Sequence, residues 1–108
     1  FISEKYSKGP TAFPAEDQRS LISDGEKAWM LESAQKLSFL SDLPGKMAIS
    51  GLRFCRSDPR IGAVIPGMRS IPQVEENFKS IELGPLSEQT LAQIRDAVPE
   101  VFSGWVKK

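Results

Sequence analysis

Residues 65–77 read IPGMRSIPQVEEN and join an apolar segment to an amphipathic helix. The apolar segment, residues 61–65, shows no alternation of polar and apolar residues, which is typical of a strand covered on both faces. A Pro-Gly turn follows it, and Ser70 with Gln73 forms a Ser-x-x-Gln capping box that predicts a helix start. We therefore expect a strand, a tight turn and a helix that begins at about residue 71.

The turn in this stretch is a suitable place to bind an anion. The first turn of a helix leaves backbone N–H groups unpaired, and the helix dipole adds partial positive charge. Arg69 lies immediately before the cap and would add a fixed cation. The spacing of Gln73, Glu76 and Asn77 predicts one shared helix face, which could hydrogen-bond the polar edge of a purine. The simpler alternative is a well-capped surface helix that binds nothing.

The whole sequence predicts a mainly α chain with a single core strand and about four helices. Residues 1–20 are expected to form an extended loop, because proline, glycine and polar residues dominate there, and residues 21–108 a helical body. Asp42 and Ser87 are the predicted N-caps of the second and fourth helices. The four helices are expected, in order, at about residues 23–41, 43–56, 71–81 and 87–97.

The predicted strand has no partner strand in this sequence. Its edges would expose unpaired N–H and C=O groups, so either helices cover them or a second copy of the chain supplies a strand. Val74, Phe78 and Ile81 follow an i, i+4, i+7 spacing and are expected to face the core. We expect self-association in which residues 61–65 of two copies pair.

Composition excludes several classes of function. The 108 residues fit one small domain, and fourteen basic residues balance fourteen acidic ones, which disfavours a general nucleic-acid or membrane-surface binder. A helix-turn-helix made by the second and third helices is disfavoured for the same reason and by the intervening strand. No apolar run approaches the ~20 residues of a membrane span. Cys55 is the single cysteine and histidine is absent, so neither an internal disulfide nor a zinc site is expected, and a cytoplasmic location is favoured.

Motifs along the chain resemble the aldo-keto reductase family. Residues 65–77 are similar to the family's last barrel strand and the helix after it, and ISEKY at residues 2–6 resembles its segment beyond strand seven. Further similar motifs are DQR at 17–19, GLRFCRSDP at 51–59 and LGPL at 83–86. In order and spacing the resemblance covers nearly the whole chain. Because the chain begins with Phe1, we also expect a piece of a longer protein.

The resemblance implies the C-terminal part of a (β/α)8 TIM barrel, from the loop after strand seven to the C-terminal helix. The parent would be an NADP-dependent oxidoreductase that reduces aldehydes or ketones. The family's catalytic Asp, Tyr, Lys and His lie on earlier strands, so none is assigned here and the chain alone is expected to be inactive. The alternative is a non-catalytic cofactor-sensing or protein-interaction module. Expected partners are NADP(H) and either the remainder of the barrel or a second copy in a homodimer.

The resemblance also implies which residues contact the cofactor. Arg69 would bind the adenosine 2′-phosphate, because a guanidinium can bond two phosphate oxygens at once. Many family members carry a lysine two positions earlier, where this chain has Gly67. Gln73 is assigned to the phosphate or ribose, Glu76 and Asn77 to the adenine, and Lys5 and Arg19 to the pyrophosphate and adenosine. The full cofactor-binding set is Lys5, Arg19, Gly67, Met68, Arg69, Gln73, Glu76 and Asn77.

Overall fold

Four α-helices and two short 3₁₀ helices make up the described chain. The computed structural model describes residues 13–100. The α-helices are α1 (Asp24–Lys36), α2 (Lys46–Arg56), α3 (Ile71–Leu83) and α4 (Glu88–Ala97), and the 3₁₀ helices are Gln18–Leu21 and Ser38–Asp42. The predicted mainly α class with about four helices is confirmed. Of the predicted loop at residues 1–20, residues 1–12 lie outside the described residues, and residues 18–20 belong to the first 3₁₀ helix.

Serine side chains fix the starts of three helices. Ser23 accepts a hydrogen bond from the Glu26 N–H group at 3.2 Å, and the Glu26 carboxylate accepts one from the Ser23 N–H group at 2.9 Å. This reciprocal pair is a capping box. Ser70 and Ser87 likewise accept from the N–H group three residues ahead, at 3.4 and 3.2 Å. The predicted starts of α1, α3 and α4 are therefore confirmed.

The start of α2 differs from the prediction. Asp42 ends the second 3₁₀ helix, and the N-cap of α2 is Gly45, whose φ of 84° is left-handed. Glycine suits this position because it has no Cβ, and a Cβ added there would lie 2.5 Å from the Ile49 Cβ. The prediction of Asp42 as cap is wrong because the left-handed turn takes up residues 43–45 before the helix begins. The 3₁₀ helix also ends α1 at Lys36, earlier than expected.

The apolar core joins the second 3₁₀ helix, α2 and α4. Its buried members are Leu37, Leu40, Met47, Leu86, Ile94 and Val98. Leu91 packs against this cluster, and its position four residues after the Ser87 cap, with Leu86 just before the cap, is that of a hydrophobic staple. The hydroxyl of Ser50, which is fully buried, donates to the Leu40 carbonyl at 3.4 Å. Helix α1 contributes no buried residue, so it lies at the margin of the core.

Polar side chains tie the end of α2 to the connection between α3 and α4. Arg53 Nε donates to the Gly84 carbonyl at 2.8 Å, and Ser57 Oγ accepts from the Leu86 N–H group at 2.9 Å. Gly84 itself has a φ of 70° and ψ of −170°, a conformation that is essentially confined to glycine. These bonds fix the C-terminal end of α3 against α2.

Residues 61–69 contain neither helix nor paired strand in the described structure. The predicted core strand at 61–65 is therefore wrong for this chain. The backbone groups of residues 62–65 have no hydrogen-bond partner among the described residues, and Ile65 is 93% exposed. A strand needs a neighbouring strand to complete its hydrogen bonds, and residues 13–100 supply none.

An open groove replaces the expected packing of α3 on that strand. Phe78 and Ile81 are 57% and 54% exposed, so the prediction that they face the core is wrong. Together with residues 61–66 they line a groove of about 600 Å³. Val74 is half-buried. Without a second layer over residues 61–66, nothing among the described residues covers this apolar face of α3.

Candidate functional site

The candidate site is the turn at residues 67–70, here called the α3 turn, which leads into α3. The Arg69 N–H group donates to Gln73 Oε1 at 2.7 Å, and Asn77 Nδ2 donates to the Gly67 carbonyl at 3.2 Å. The predicted capping box is thus only half formed, because Gln73 accepts from Arg69 and not from Ser70. The α3 turn is held against the first two turns of the helix that follows it.

Two backbone donors remain available at the N-terminus of α3. Pro72 has no N–H group, and the Gln73 N–H group donates to Ser70 Oγ. The N–H groups of Ser70 and Ile71 have no partner within residues 13–100, and both residues are exposed. These two donors and the positive end of the helix dipole form an arrangement that favours an anion.

Arg69 adds an available positive charge to the α3 turn. It is exposed, and its side chain has no hydrogen bond or ion pair with the described part of the chain. Every other arginine in this part has an interaction partner: Arg19, Arg53, Arg56, Arg60 and Arg95. A guanidinium that is already bonded to a carboxylate or carbonyl is less available to a ligand, so Arg69 is the arginine best placed to bind one.

Arg19 is held in an ion pair with Asp17. The Asp17 carboxylate accepts from Arg19 Nε at 2.9 Å, and the Arg19 guanidinium lies 4.5 Å from the centre of the Phe13 ring. Hydrogen bonds from the Arg19 side chain and N–H group lower the pKa of Asp17 from 3.8 to about 2, because they favour the charged carboxylate. The Nε and Nη2 groups of Arg19 are therefore engaged by Asp17 in this structure.

The structure separates two residues that were expected to share a face of α3. Asn77 lines the 600 Å³ groove beside residues 61–66, as does Met68. Glu76 lines a second groove of about 290 Å³, formed with Lys79 and residues 45–49 at the start of α2. Gln73 and Asn77 turn towards the α3 turn, whereas Glu76 lies beside α2. Lys5, also assigned to the cofactor, is outside the described residues.

Gly67 has no structural requirement for glycine within this chain. A Cβ added to Gly67 would meet no atom within 4 Å, and its φ is not in the left-handed region. The backbone carbonyl is anchored by Asn77, yet the space around Cα is open. An incoming group could therefore approach the backbone of the α3 turn closely at this position.

Sequence reasoning missed the structural role of Asn77, and it predicted a capping role for Gln73 but with Ser70, not Arg69, as its backbone partner. Both were assigned to the nucleotide from the resemblance, but each bonds the backbone of the α3 turn. The available signal was positional, because an amide at the third helical position commonly reaches back to a preceding N–H group. No group of residues suited to a metal ion occurs within residues 13–100. None of the helices in that range is long and apolar enough to cross a bilayer.

Comparison with protein families gives a match over most of the chain. The family model described as the aldo/keto reductase family matches residues 1–99, a range that includes the α3 turn and all four helices. Searches of curated proteins and of solved structures gave no significant match. Aldo/keto reductases are oxidoreductases that generally use NAD(P)H. Since the matched range covers most of its 108 residues, the chain belongs to the aldo/keto reductase family.

Proposed function

We propose that this chain is the C-terminal, adenosine-binding segment of an NADP-dependent aldo-keto reductase. In this proposal the α3 turn binds the 2′-phosphate of NADP(H). The observation that carries it is the exposed Arg69 side chain, which has no partner among the described residues and lies next to the unpartnered N–H groups of Ser70 and Ile71. A guanidinium and two amide donors match the charge and the acceptor oxygens of a phosphate.

The remaining assigned residues would contact the rest of the adenosine half of the cofactor. The open space at Gly67 supports close approach of a phosphate to the backbone. Lys5 and Arg19 would lie near the pyrophosphate and adenosine, and Glu76 near the adenine. Met68, which is exposed beside the groove, could cover the adenosine from one side.

The contribution of this segment to catalysis would be anchoring. In the full-length enzyme the nicotinamide supplies the hydride that reduces an aldehyde or ketone. Binding energy gained at the remote 2′-phosphate can hold the reacting end of a cofactor in place, which lowers the entropic part of the barrier. This chain would provide that anchor and no group of the proton relay.

Arg69→Ala is expected to weaken binding of NADP⁺ and to leave binding of NAD⁺ unchanged. Loss of a charged hydrogen bond costs about 1.5–3 kcal/mol, which corresponds to a rise in the NADP⁺ dissociation constant of about ten- to a hundredfold. NAD⁺ lacks the 2′-phosphate and so loses no partner. NMR titration of the 108-residue chain with each cofactor measures both constants, including weak ones.

Lys79→Ala is the matched control for this experiment. It removes one positive charge from the same helix, two turns beyond the α3 turn, and should change both dissociation constants less than twofold. An equal loss of NADP⁺ and NAD⁺ affinity in Arg69→Ala, or no NADP⁺ binding by the unaltered chain, would refute the assigned role.

Residues 61–65 would pair with a further strand. The backbone groups of residues 62–65 have no partner within residues 13–100, and exposed apolar side chains such as Ile65 lie beside a groove of about 600 Å³. In a complete barrel the remainder of the barrel would cover it. For the chain on its own, we propose that a second copy does so, with the two segments side by side as strands, because an exposed strand edge is a template for pairing.

The isolated chain is therefore expected to form a homodimer. Light scattering after size-exclusion chromatography should give twice the chain mass of 11.9 kDa. Ala63→Pro removes an N–H group from the middle of the segment and should shift the mass to that of one chain. A single-chain mass for the unaltered protein at micromolar concentration would contradict this pairing.

A further inference from the structure

Two side chains assigned to the nucleotide point to the protein backbone instead. Gln73 Oε1 accepts the Arg69 N–H bond at 2.7 Å, and Asn77 Nδ2 donates to the Gly67 carbonyl at 3.2 Å. Gln73 and Asn77 are four residues apart and so lie one above the other on the same side of α3. Gln73 bonds the N–H group of Arg69 and Asn77 bonds the carbonyl of Gly67, so the two bonded backbone groups are two residues apart in the α3 turn.

We infer that Gln73 and Asn77 are positioning residues that select for the 2′-phosphate by fixing the α3 turn, and with it Arg69. This inference rests on the proposed binding of NADP(H) there. It assigns Asn77 to the support of the turn and not to a contact with adenine, on the evidence of its hydrogen bond to the Gly67 carbonyl.

Within residues 13–100, the other hydrogen bonds of the α3 turn lie at its last residue, Ser70, which accepts from the N–H groups of Gln73 and Val74. Residues 62–66, which precede it, make no hydrogen bond to the described part of the chain. Among the described residues no atom lies within 4 Å of the Cβ position of Gly67, so no side-chain contact limits that side of the residue. A side chain reaches a fixed phosphate most favourably when its own backbone is already ordered, since less conformational entropy is then lost on binding.

The part of α3 that contains Asn77 is itself hydrogen-bonded to α2. The hydroxyl of Ser80 donates to the Asn77 carbonyl at 2.7 Å, and the Ser80 side chain is buried. Arg56 Nη1 at the end of α2 donates to the Ser80 carbonyl at 2.9 Å. A continuous set of hydrogen bonds therefore runs from α2 through α3 to the Gly67 carbonyl, and holds the α3 turn to the body of the fold.

Asn77→Ala separates the positioning role from an adenine contact. NADP⁺ and NAD⁺ both contain adenine, so loss of an adenine contact weakens both equally. Loss of positioning acts through Arg69 and weakens NADP⁺ alone, by about three- to tenfold for one hydrogen bond, with a change below twofold for NAD⁺. Alanine also favours the helix more than asparagine, so α3 should be retained. Gln93→Ala, an exposed amide on α4, is the control and should change neither constant.

A double variant and an exchange measurement complete the test. If Asn77 acts through Arg69, adding Asn77→Ala to Arg69→Ala should cause no further loss of NADP⁺ affinity. In the free chain, Gln73→Ala should speed hydrogen exchange of the Arg69 amide by about two- to tenfold. Equal losses for the two cofactors, additive losses in the double variant, or unchanged exchange at Arg69 would each overturn the inference. If instead Arg69→Ala leaves NADP⁺ affinity unchanged while Gln73→Ala speeds the exchange, the proposed function falls and the support of the turn stands.

Discussion

Leu40→Ala is expected to lower the free energy of unfolding by about 2–5 kcal/mol, the usual cost of truncating a buried leucine. Leu40 is 3% exposed and belongs to the main cluster of buried apolar residues, which has six members in the described structure. Small domains are stable by about 5–15 kcal/mol, so this one change removes a large share of the total. Urea denaturation followed by circular dichroism measures the loss as a lower midpoint.

Leu21→Ala is the matched control, because it removes the same atoms from a side chain that is 85% exposed. Its expected effect is within about 0.5 kcal/mol, as for most surface substitutions. A large loss from Leu21→Ala would mean that another part of the chain or a second copy covers Leu21. Equal small effects from both variants would contradict the assignment of the core.

The helix starts could be predicted because their causes are local. A serine that caps a helix bonds an N–H group three residues away, so the sequence contains both partners. The prediction of a strand at residues 61–65 was wrong because the cause of a strand is not local. Its apolar composition gives the preference for a strand, but its hydrogen bonds require a neighbouring strand that residues 13–100 do not contain. Composition expresses a tendency, and non-local pairing decides whether a strand forms.

The start of α2 shows a second limit. Asp42 is a good N-cap by composition, and Pro44 suits the first turn of a helix. The chain instead makes a left-handed turn at Gly45, and the helix begins at Lys46. Such a turn requires a residue with positive φ. Any glycine can adopt a positive φ, so the sequence alone does not show which glycine does so.

The sequence predicted where the candidate site lies, but not which of its residues would contact a ligand and which would support the turn. The position of Arg69 before a capped helix is a local property and followed from the sequence. That Arg69 has no side-chain partner among the described residues could not be predicted, because the partners of the other arginines include distant carbonyl groups, such as that of Gly84 for Arg53. The direction of the Gln73 and Asn77 side chains depends in the same way on the path of the turn in space.

Gly45→Ala is expected to be among the most destabilising single changes in this chain, at about 2–4 kcal/mol. A left-handed φ costs an alanine about 1–2 kcal/mol, and the added Cβ would lie within 3 Å of three side-chain atoms of Ile49, which is itself buried. Ile49 cannot move freely, because it lies one turn into α2. The expected result is a lower urea midpoint and loss of helical signal from α2 at lower temperature.

Gly25→Ala is the comparison variant, and its expected effect on stability has the opposite sign. Gly25 lies in the first turn of α1 with no atom within 4 Å of its Cβ position, so alanine should stabilise the chain by up to about 1 kcal/mol. The same chemical change thus has opposite effects at two positions, decided by backbone conformation and by the space beside Ile49. If Gly45→Ala and Gly25→Ala shift the midpoint in the same direction, α2 does not begin at a left-handed glycine. The packing of α2 that positions Arg56, and through Ser80 the α3 turn, would then need a different explanation.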